Sequence, residues 1–399
     1  MRHRNDNGNF IYLPCGENFT SIYNKYKINF YIEHDENEKI MSYITFKRLW
    51  YSTVPNIKFQ LPGSDLCEVC EDFRKQIQTS KNNYDEFIII KTEYEEHQNN
   101  ADLERNHYNN NIRNSKIDKS TIHICYDWAQ HISIPYSPQQ VGSIYFKSAY
   151  AIHLFGICKT GEENQQINFI IAEDEFPKGV GKGANTTLNM VYQAIKKFIE
   201  NNPEAKNLQI TCDNCGAQNK NNLSLFFWSW LCMMGYFDNI TINFMIPGHT
   251  KFICDSFFGK IKKTFRDNKV NTIDDVEKII NKSASANIGL KYNDGDGWKW
   301  YDFQGLFTQN FINCSHIKDY YHFRFSKLPQ DLGKVYCSKK SDGDEVFFNL
   351  LNNKDFNIHK QLNILEVATM SNEKRKYLHK KIRQYVDNLH KDIYCFEPF

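Results

Sequence analysis

The chain has 399 residues, and 49 Lys and Arg against 47 Asp and Glu leave a formal charge of only +2. No global field therefore draws it to nucleic acid or to a membrane, and any anion-binding surface must be local. With 41% hydrophobic residues it is long enough for two or three domains around a sizeable core, which excludes a disordered polymer.

The first region spans residues 1–118. Its start, MRHRNDNGNF, lacks the apolar stretch of a signal peptide. An aromatic-rich segment runs from Phe46 to Phe59, followed by the string DLCEVCEDFRKQI. From Tyr84 to Ile117 the sequence is polar and helix-prone. Phe87, Tyr94, Ala101, Tyr108 and Ile112 recur near heptad spacing, which predicts one long helix packed along one face.

The middle region, 119–268, alternates most clearly. Strands are expected at Thr121–Tyr126, Ser143–Cys158 and Gln166–Ala172, the last two joined by a hairpin turn, Lys159 to Glu162. A helix over 185–200 carries Leu188, Val191, Tyr192, Ile195, Phe198 and Ile199 on one face. A fourth strand, Asn207–Cys212, turns through Asp213 and the polar run to Asn222 into a helix that stops at Gly235. A fifth strand covers Asn239–Ile246, and a final helix covers 254–268. The longest greasy stretch, Leu223 to Phe237, is shorter than a bilayer span and is broken by Ser224, Ser229 and Gly235. The expectation is thus an intracellular, reduced protein of nucleus or cytoplasm, with no membrane partner.

The order βββαβαβα predicts an α/β fold with a mixed five-stranded sheet, early strands antiparallel and later ones parallel through helical crossovers. With the first strand central and the fourth beside it, Asp127 and Asp213 emerge together at a switch point of the sheet. Asp255 follows the fifth strand and the turn PGHTKFIC. Three acids so placed point to a divalent-metal site. Residues 269–399 form a smaller α+β region. It has an aromatic stretch, Trp298 to Phe311, and strand-like pieces at Tyr320–Phe325, Gly333–Cys337 and Glu345–Leu350. A basic helix is expected over Ser371–Ile393.

This order of elements and acids resembles the ribonuclease H-like fold of transposases and retroviral integrases, over Thr121 to Asn268. Within it, CDNCGAQNKNN and PGHTKFICDSFFGKIKK are similar to signatures of a family of uncharacterised, transposon-derived eukaryotic proteins. DLCEVC with His97 is similar to an element those proteins carry upstream. The resemblance implies a catalytic triad of Asp127, Asp213 and Asp255, 86 and then 42 residues apart. In many transposases the third acid is often glutamate, and this chain has aspartate. It further implies Mg²⁺ or Mn²⁺ as cofactor and DNA as partner, with RNA as the alternative and a homo-oligomer compatible with both. The expected activity is phosphodiester cleavage or strand transfer.

Shared carboxylates holding two Mg²⁺ stabilise both the entering and the leaving oxygen of an in-line displacement. His249 and Lys251 are placed to contact the scissile phosphate or assist proton transfer. Asn214, Gln218 and Asn219 are placed to orient the backbone or a nucleotide. Each acid has a plainer reading: Asp255 as a helix N-terminal residue, Asp213 as an Asx cap of the next helix, Asp127 as a strand-end acid. If those readings hold, the chain is an inactive, domesticated transposase descendant that binds nucleic acid or protein.

Cys67 and Cys70 have the spacing of a zinc half-site, with His97 as third ligand and Cys15, His34 or His107 left open as fourth. His107 is the weakest of these, because ten residues along one helix is about 15 Å. The second CxxC, Cys212 and Cys215, reads as coincidence, since Cys212 points away from Asp213 on the strand. Lys260–Lys263 and Lys374–Arg383 are candidate phosphate contacts.

Overall fold

The structure is a computed structural model and describes residues 10–35, 38–60, 66–161, 164–292, 298–353 and 355–397, without the Lys81 side chain. The first nine residues, Asp65 of the DLCEVC string and Glu162 of the expected hairpin turn lie outside the described residues. The chain divides between Lys91 and Thr92 into two units.

In the first unit, β1 (Ile11–Leu13) pairs in parallel with β2 (Ile57–Phe59), and between them lie α1 (Phe19–Glu33) and α2 (Tyr43–Thr53). The aromatic-rich segment supplies the packing: Phe19 sits 5.9 Å from Trp50 and 4.7 Å from Phe59, ring centre to ring centre. Then come α3 (Glu68–Thr79) and the start of α4 (Tyr84–Ile117). The single long helix is as expected.

In the second unit the rest of α4 precedes β3 (Thr121–Trp128), β4 (Ile132–Ile134), β5 (Tyr150–Thr160), β6 (Gln165–Ala172), α5 (Ala184–Asn201), β7 (Asn207–Cys212), α6 (Asn222–Met233), β8 (Asn239–Phe244) and α7 (Ile253–Arg266). It continues with α8 (Ile273–Ser283), β9 (Asn287–Lys291), α9 (Phe303–Phe307), β10 (His322–Ser326), β11 (Lys334–Ser338), β12 (Val346–Asn349), α10 (Asn372–Tyr377) and α11 (Lys391–Tyr394).

β3 is central, antiparallel to β5 and parallel to β7, and β7 in turn is parallel to β8. This is the arrangement that brings two strand-end acids together. Among the described residues the sheet, however, has ten strands rather than five, in the order β12-β11-β10-β8-β7-β3-β5-β6-β9 with β4 on β5. The tail pieces are not a separate region: β10 joins the open edge at β8 antiparallel, and β9 joins β6 in parallel. Pairing hides edges that would otherwise be left with unmade hydrogen bonds.

Two further expectations are corrected. The long strand begins at Tyr150 rather than Ser143, because residues 142–146 form a short 3₁₀ turn that leaves Tyr145 and Phe146 each 85% exposed. The basic helix over 371–393 is broken. Leu378 and Ile382 are fully buried, and Asp387 is held by Lys269 and Asn271, which draws the chain out of helix beyond Tyr385. Among the described residues no helix is long and apolar enough to cross a membrane.

The sheet separates two cores. Ile122, Ile124 and Tyr126 pack with α5 and α6 residues such as Leu188, Ile195, Phe227 and Trp228. On the opposite face Cys125 and Cys158 pack with Tyr108 of α4 and with Phe252, Cys254 and Phe257 around the start of α7.

Candidate functional site

The last registered pair of β3 and β7 near the sheet edge is Cys125 with Thr211. Two residues past that pair stand Asp127, still within β3, and Asp213, the first residue after β7, and the two-residue period puts Asp127 on the α4/α7 face. The same alternation places Cys212 in the opposite core, so Cys212 does point away from Asp213. Asp255 lies in the first turn of α7, which packs on that face.

Each aspartate commits one oxygen to its own local backbone. Asp127 Oδ1 accepts from the Trp128 N–H at 2.7 Å, and Asp255 Oδ2 from the Phe252 N–H at 3.0 Å. Asp213 Oδ1 accepts from the Cys215 N–H at 3.1 Å and from Asn219 Nδ2 at 2.6 Å. Among the described residues, Asp127 Oδ2, Asp213 Oδ2 and Asp255 Oδ1 accept no hydrogen bond. Carboxylate oxygens are the kind of donor that Mg²⁺ and Mn²⁺ take, but among the described residues the group gathered closely enough to hold a metal ion is the Cys67, Cys70, His97 and His249 set rather than these three acids.

The electrostatics agree with clustering. Burial, then the Asp213 charge, push the Asp127 carboxyl up to about 7, with Asp255 adding to the rise while the Trp128 N–H and Lys182 oppose it. Withdrawal of water also raises the Asp255 carboxyl, against the Phe252 N–H, Lys251 and Arg105. Like charges sharing a site disfavour ionisation of one another, and a bound cation reverses that.

The polar residues of CDNCGAQNKNN build the turn. Asn214 donates through Nδ2 to the Met245 carbonyl and accepts at Oδ1 from Lys220 Nζ at 3.1 Å, tying the ends of β7 and β8 together. Gln218 Nε2 donates to the Lys182 carbonyl at 3.3 Å. Asn219, 4% exposed, orients Asp213. These contacts occupy Asn214 and Asn219 in the turn itself, which corresponds to the backbone-orienting one of the two roles the sequence left open for them. The cap of α6 is Asn221, whose Oδ1 accepts from the Ser224 N–H at 2.9 Å, so Asp213 is not needed for that role.

His249 and Lys251 sit on the loop between β8 and α7, and Arg105 of α4 holds that loop by donating to the carbonyls of His249, at 2.8 Å, and Lys251. Sequence reasoning missed Arg105 because nothing marks it within a polar helix. The His249 ring faces His97: its Nε2 lies 3.3 Å from His97 Nε2.

Cys67 and Cys70 are both buried at the start of α3, three residues apart and therefore on one helical face. The ligand atoms of Cys67, Cys70, His97 and His249 all lie within 4.8 Å of one another and could hold a metal ion such as zinc. Two thiolates and two imidazoles are a tetrahedral donor set. The fourth position thus goes to His249 rather than to the three residues left open. Cys15 is exposed, His34 stacks on Phe30 at 4.4 Å, and His107 turns to Asn243 Oδ1 at 3.2 Å. Burial and the neighbouring Cys67 push the Cys70 thiol up to about 11, while burial lowers both histidines, His97 adding to the effect on His249.

The basic pieces are partly spent on structure. Lys374 pairs with Glu173 at 2.9 Å, and Arg383 with Asp392 at 2.6 Å. Lys260 lies 4.9 Å from the Phe257 ring centre, and Lys262 reaches Gln130 Oε1 at 3.4 Å.

The family model of a domain of unknown function (DUF7869) matches residues 147–343. That stretch contains Asp213 and Asp255, together with both of their motifs. No curated protein and no solved structure matches the chain.

Proposed function

We propose that this chain is a transposase-like protein with a ribonuclease H-like core, cleaving or transferring phosphodiester strands of DNA with Asp127, Asp213 and Asp255 as its metal-holding acids. The observation that carries the reading is the placement of Asp127 and Asp213 beyond one registered pair of parallel strands, each with one uncommitted oxygen. The order β3, β5, β6, α5, β7, α6, β8, α7 around a central β3, with the short β4 set aside on β5, supports it as well.

Mg²⁺ or Mn²⁺, when bound, would stabilise charge on the attacking and leaving oxygens of the phosphodiester. Asn219 and the Cys215 N–H would hold Asp213 in place, and Arg105 would hold the loop that leads to Asp255. The Cys67, Cys70, His97 and His249 set would hold a structural zinc, which makes His249 a zinc ligand in this reading rather than a catalyst.

A second reading is a domesticated descendant that binds nucleic acid or protein without cleaving it. It is favoured by the local backbone role that each aspartate already plays. The separating experiment measures nicking of DNA and of RNA with Mg²⁺ or Mn²⁺, alongside thermal melting, for wild type and Asp213→Asn. The enzyme reading requires metal-dependent nicking that Asp213→Asn abolishes without loss of fold. Wild type that neither nicks nor melts differently in millimolar Mn²⁺ would leave the binding module.

A further inference from the structure

We infer that Lys182, on the glycine-rich loop PKGVGKG before α5, is a direct contact to a backbone phosphate of a nucleic-acid strand lying along the acid-bearing sheet edge. The inference rests on the proposed reading only in taking that edge as the place where nucleic acid is handled.

The loop is built against the Asp213 turn. Gln218 donates to the Lys182 carbonyl at 3.3 Å, and a Cβ added to Gly183 would stand 4.0 Å from the Ala217 carbonyl oxygen. Trp128, next to Asp127, anchors the approach: its Nε1 donates to Thr187 Oγ1 of α5 at 3.0 Å, and Lys182 Nζ lies 5.0 Å from the centre of its ring. A cation over an indole face is held in place while its N–H groups stay available. Among the described residues, Lys182 forms no ion pair within 4.0 Å and its Nζ makes no hydrogen bond. Yet it is close enough to Asp127 for each to shift the other's ionisation, Lys182 itself being lowered by burial first.

The ammonium thus has an acid neighbour and an aromatic platform but, among the described residues, no direct partner, which leaves its N–H groups open to an incoming anion such as a phosphate oxygen. Lys182 approaches from the α5 side of the sheet, whereas Lys251 comes from the α7 side. The two would bracket a strand at the acids.

The test uses the full chain and a labelled oligodeoxynucleotide, single-stranded and duplex, in Ca²⁺ so that binding is read without turnover. Lys182→Ala should bind roughly tenfold more weakly, the worth of about one charge-assisted hydrogen bond. Its plot of log affinity against log salt should be shallower by about 0.7–0.9. Lys182→Arg should retain most binding, Lys197→Ala on the exposed side of α5 should match wild type, and melting should show every variant folded. If wild type also cleaves, Lys182→Ala should raise KM more than it lowers kcat.

Wild type that binds in this Lys182-dependent way without ever cleaving would keep the inference and remove the cleavage reading. Cleavage by Lys182→Ala with unchanged KM and an unchanged salt slope would overturn the inference and leave that reading standing. Wild type that binds neither oligonucleotide would overturn the inference outright.

Discussion

Asp127, near the end of β3, and Asp213, the first residue after β7, each stand two residues past the Cys125–Thr211 pair of these adjacent parallel strands, and the charge of Asp213 is the largest single neighbour raising the Asp127 carboxyl. A folded acid held near 7 against an ordinary 3.8 stores repulsion that a cation would relieve.

That repulsion gives a signed pH dependence. Because the folded value is raised, the contribution of Asp127 to stability is fully present below its unfolded value. It is lost as pH rises through about 7. Metal-free wild type should therefore lose up to about 4 kcal/mol from this group between pH 4 and pH 7, at 1.36 kcal/mol per unit. Asp127→Asn should flatten that limb of the profile and melt higher than wild type at neutral pH in chelator. Denaturant unfolding across the pH range checks it, and equal pH profiles for the two proteins would remove the like-charge account.

Divalent-metal binding should show the same linkage. Under the proposed reading Mn²⁺ would have to displace a proton from Asp127 below about pH 7, so its affinity should rise with pH until that carboxyl is ionised and then level off. Calorimetric titration at several pH values measures this. Asp213→Asn should lower the Asp127 value and weaken binding at every pH.

For the thiol and imidazole set, purified wild type should carry stoichiometric zinc by atomic absorption. Cys70→Ser and His249→Ala should each lose it, since three ligands hold the ion far less well than four. His107→Ala should keep full zinc, because that ring is turned to Asn243. Zinc retained by His249→Ala and lost by His107→Ala would return the fourth position to the long helix.

Gly156 faces Asp127 across the β3–β5 ladder, and a Cβ there would lie 2.6 Å from Phe258 Cζ of α7. In Gly156→Ala the Phe258 ring has to shift, and the expectation is that it carries α7, and with it Asp255, off the sheet. The expected cost is about 1–3 kcal/mol in unfolding free energy, the usual range for overpacking, together with weakened Mn²⁺ binding. A variant with wild-type melting and metal affinity would mean that the Phe258 ring simply swings aside.

Arg105→Ala should free the loop carrying His249 and Lys251 at a cost of about 2 kcal/mol, because one guanidinium serves both carbonyls. Arg105→Lys should recover only part of this, since a single ammonium cannot reproduce the planar fork. Hydrogen exchange over 246–252 reads the loop directly.

What the sequence determined by itself was local. Alternation and helical spacing are set by neighbours a few residues away, so β7 at Asn207–Cys212, α5 and the glycine stop of α6 were legible to within a residue or so. The order of elements then sufficed to place β3 between β5 and β7 and to bring Asp127 beside Asp213. Cys67 and Cys70 announced themselves by spacing, because three residues is one helical turn.

Only the tertiary structure decided what depends on distant partners. The tail strands joined the sheet because β8 offered an unpaired edge, which no local pattern reveals. Exposed Tyr145 and Phe146 show that an apolar run becomes a strand only where a partner strand waits. His249 met His97 across 152 residues of sequence, Arg105 reached a loop 144 residues away, and Lys182 was brought to Trp128 by the packing of α5 on the sheet. Side-chain chemistry can be read from a sequence one residue at a time. The company each side chain keeps is fixed by chain reversal and burial, whose free energy belongs to the whole core rather than to any segment.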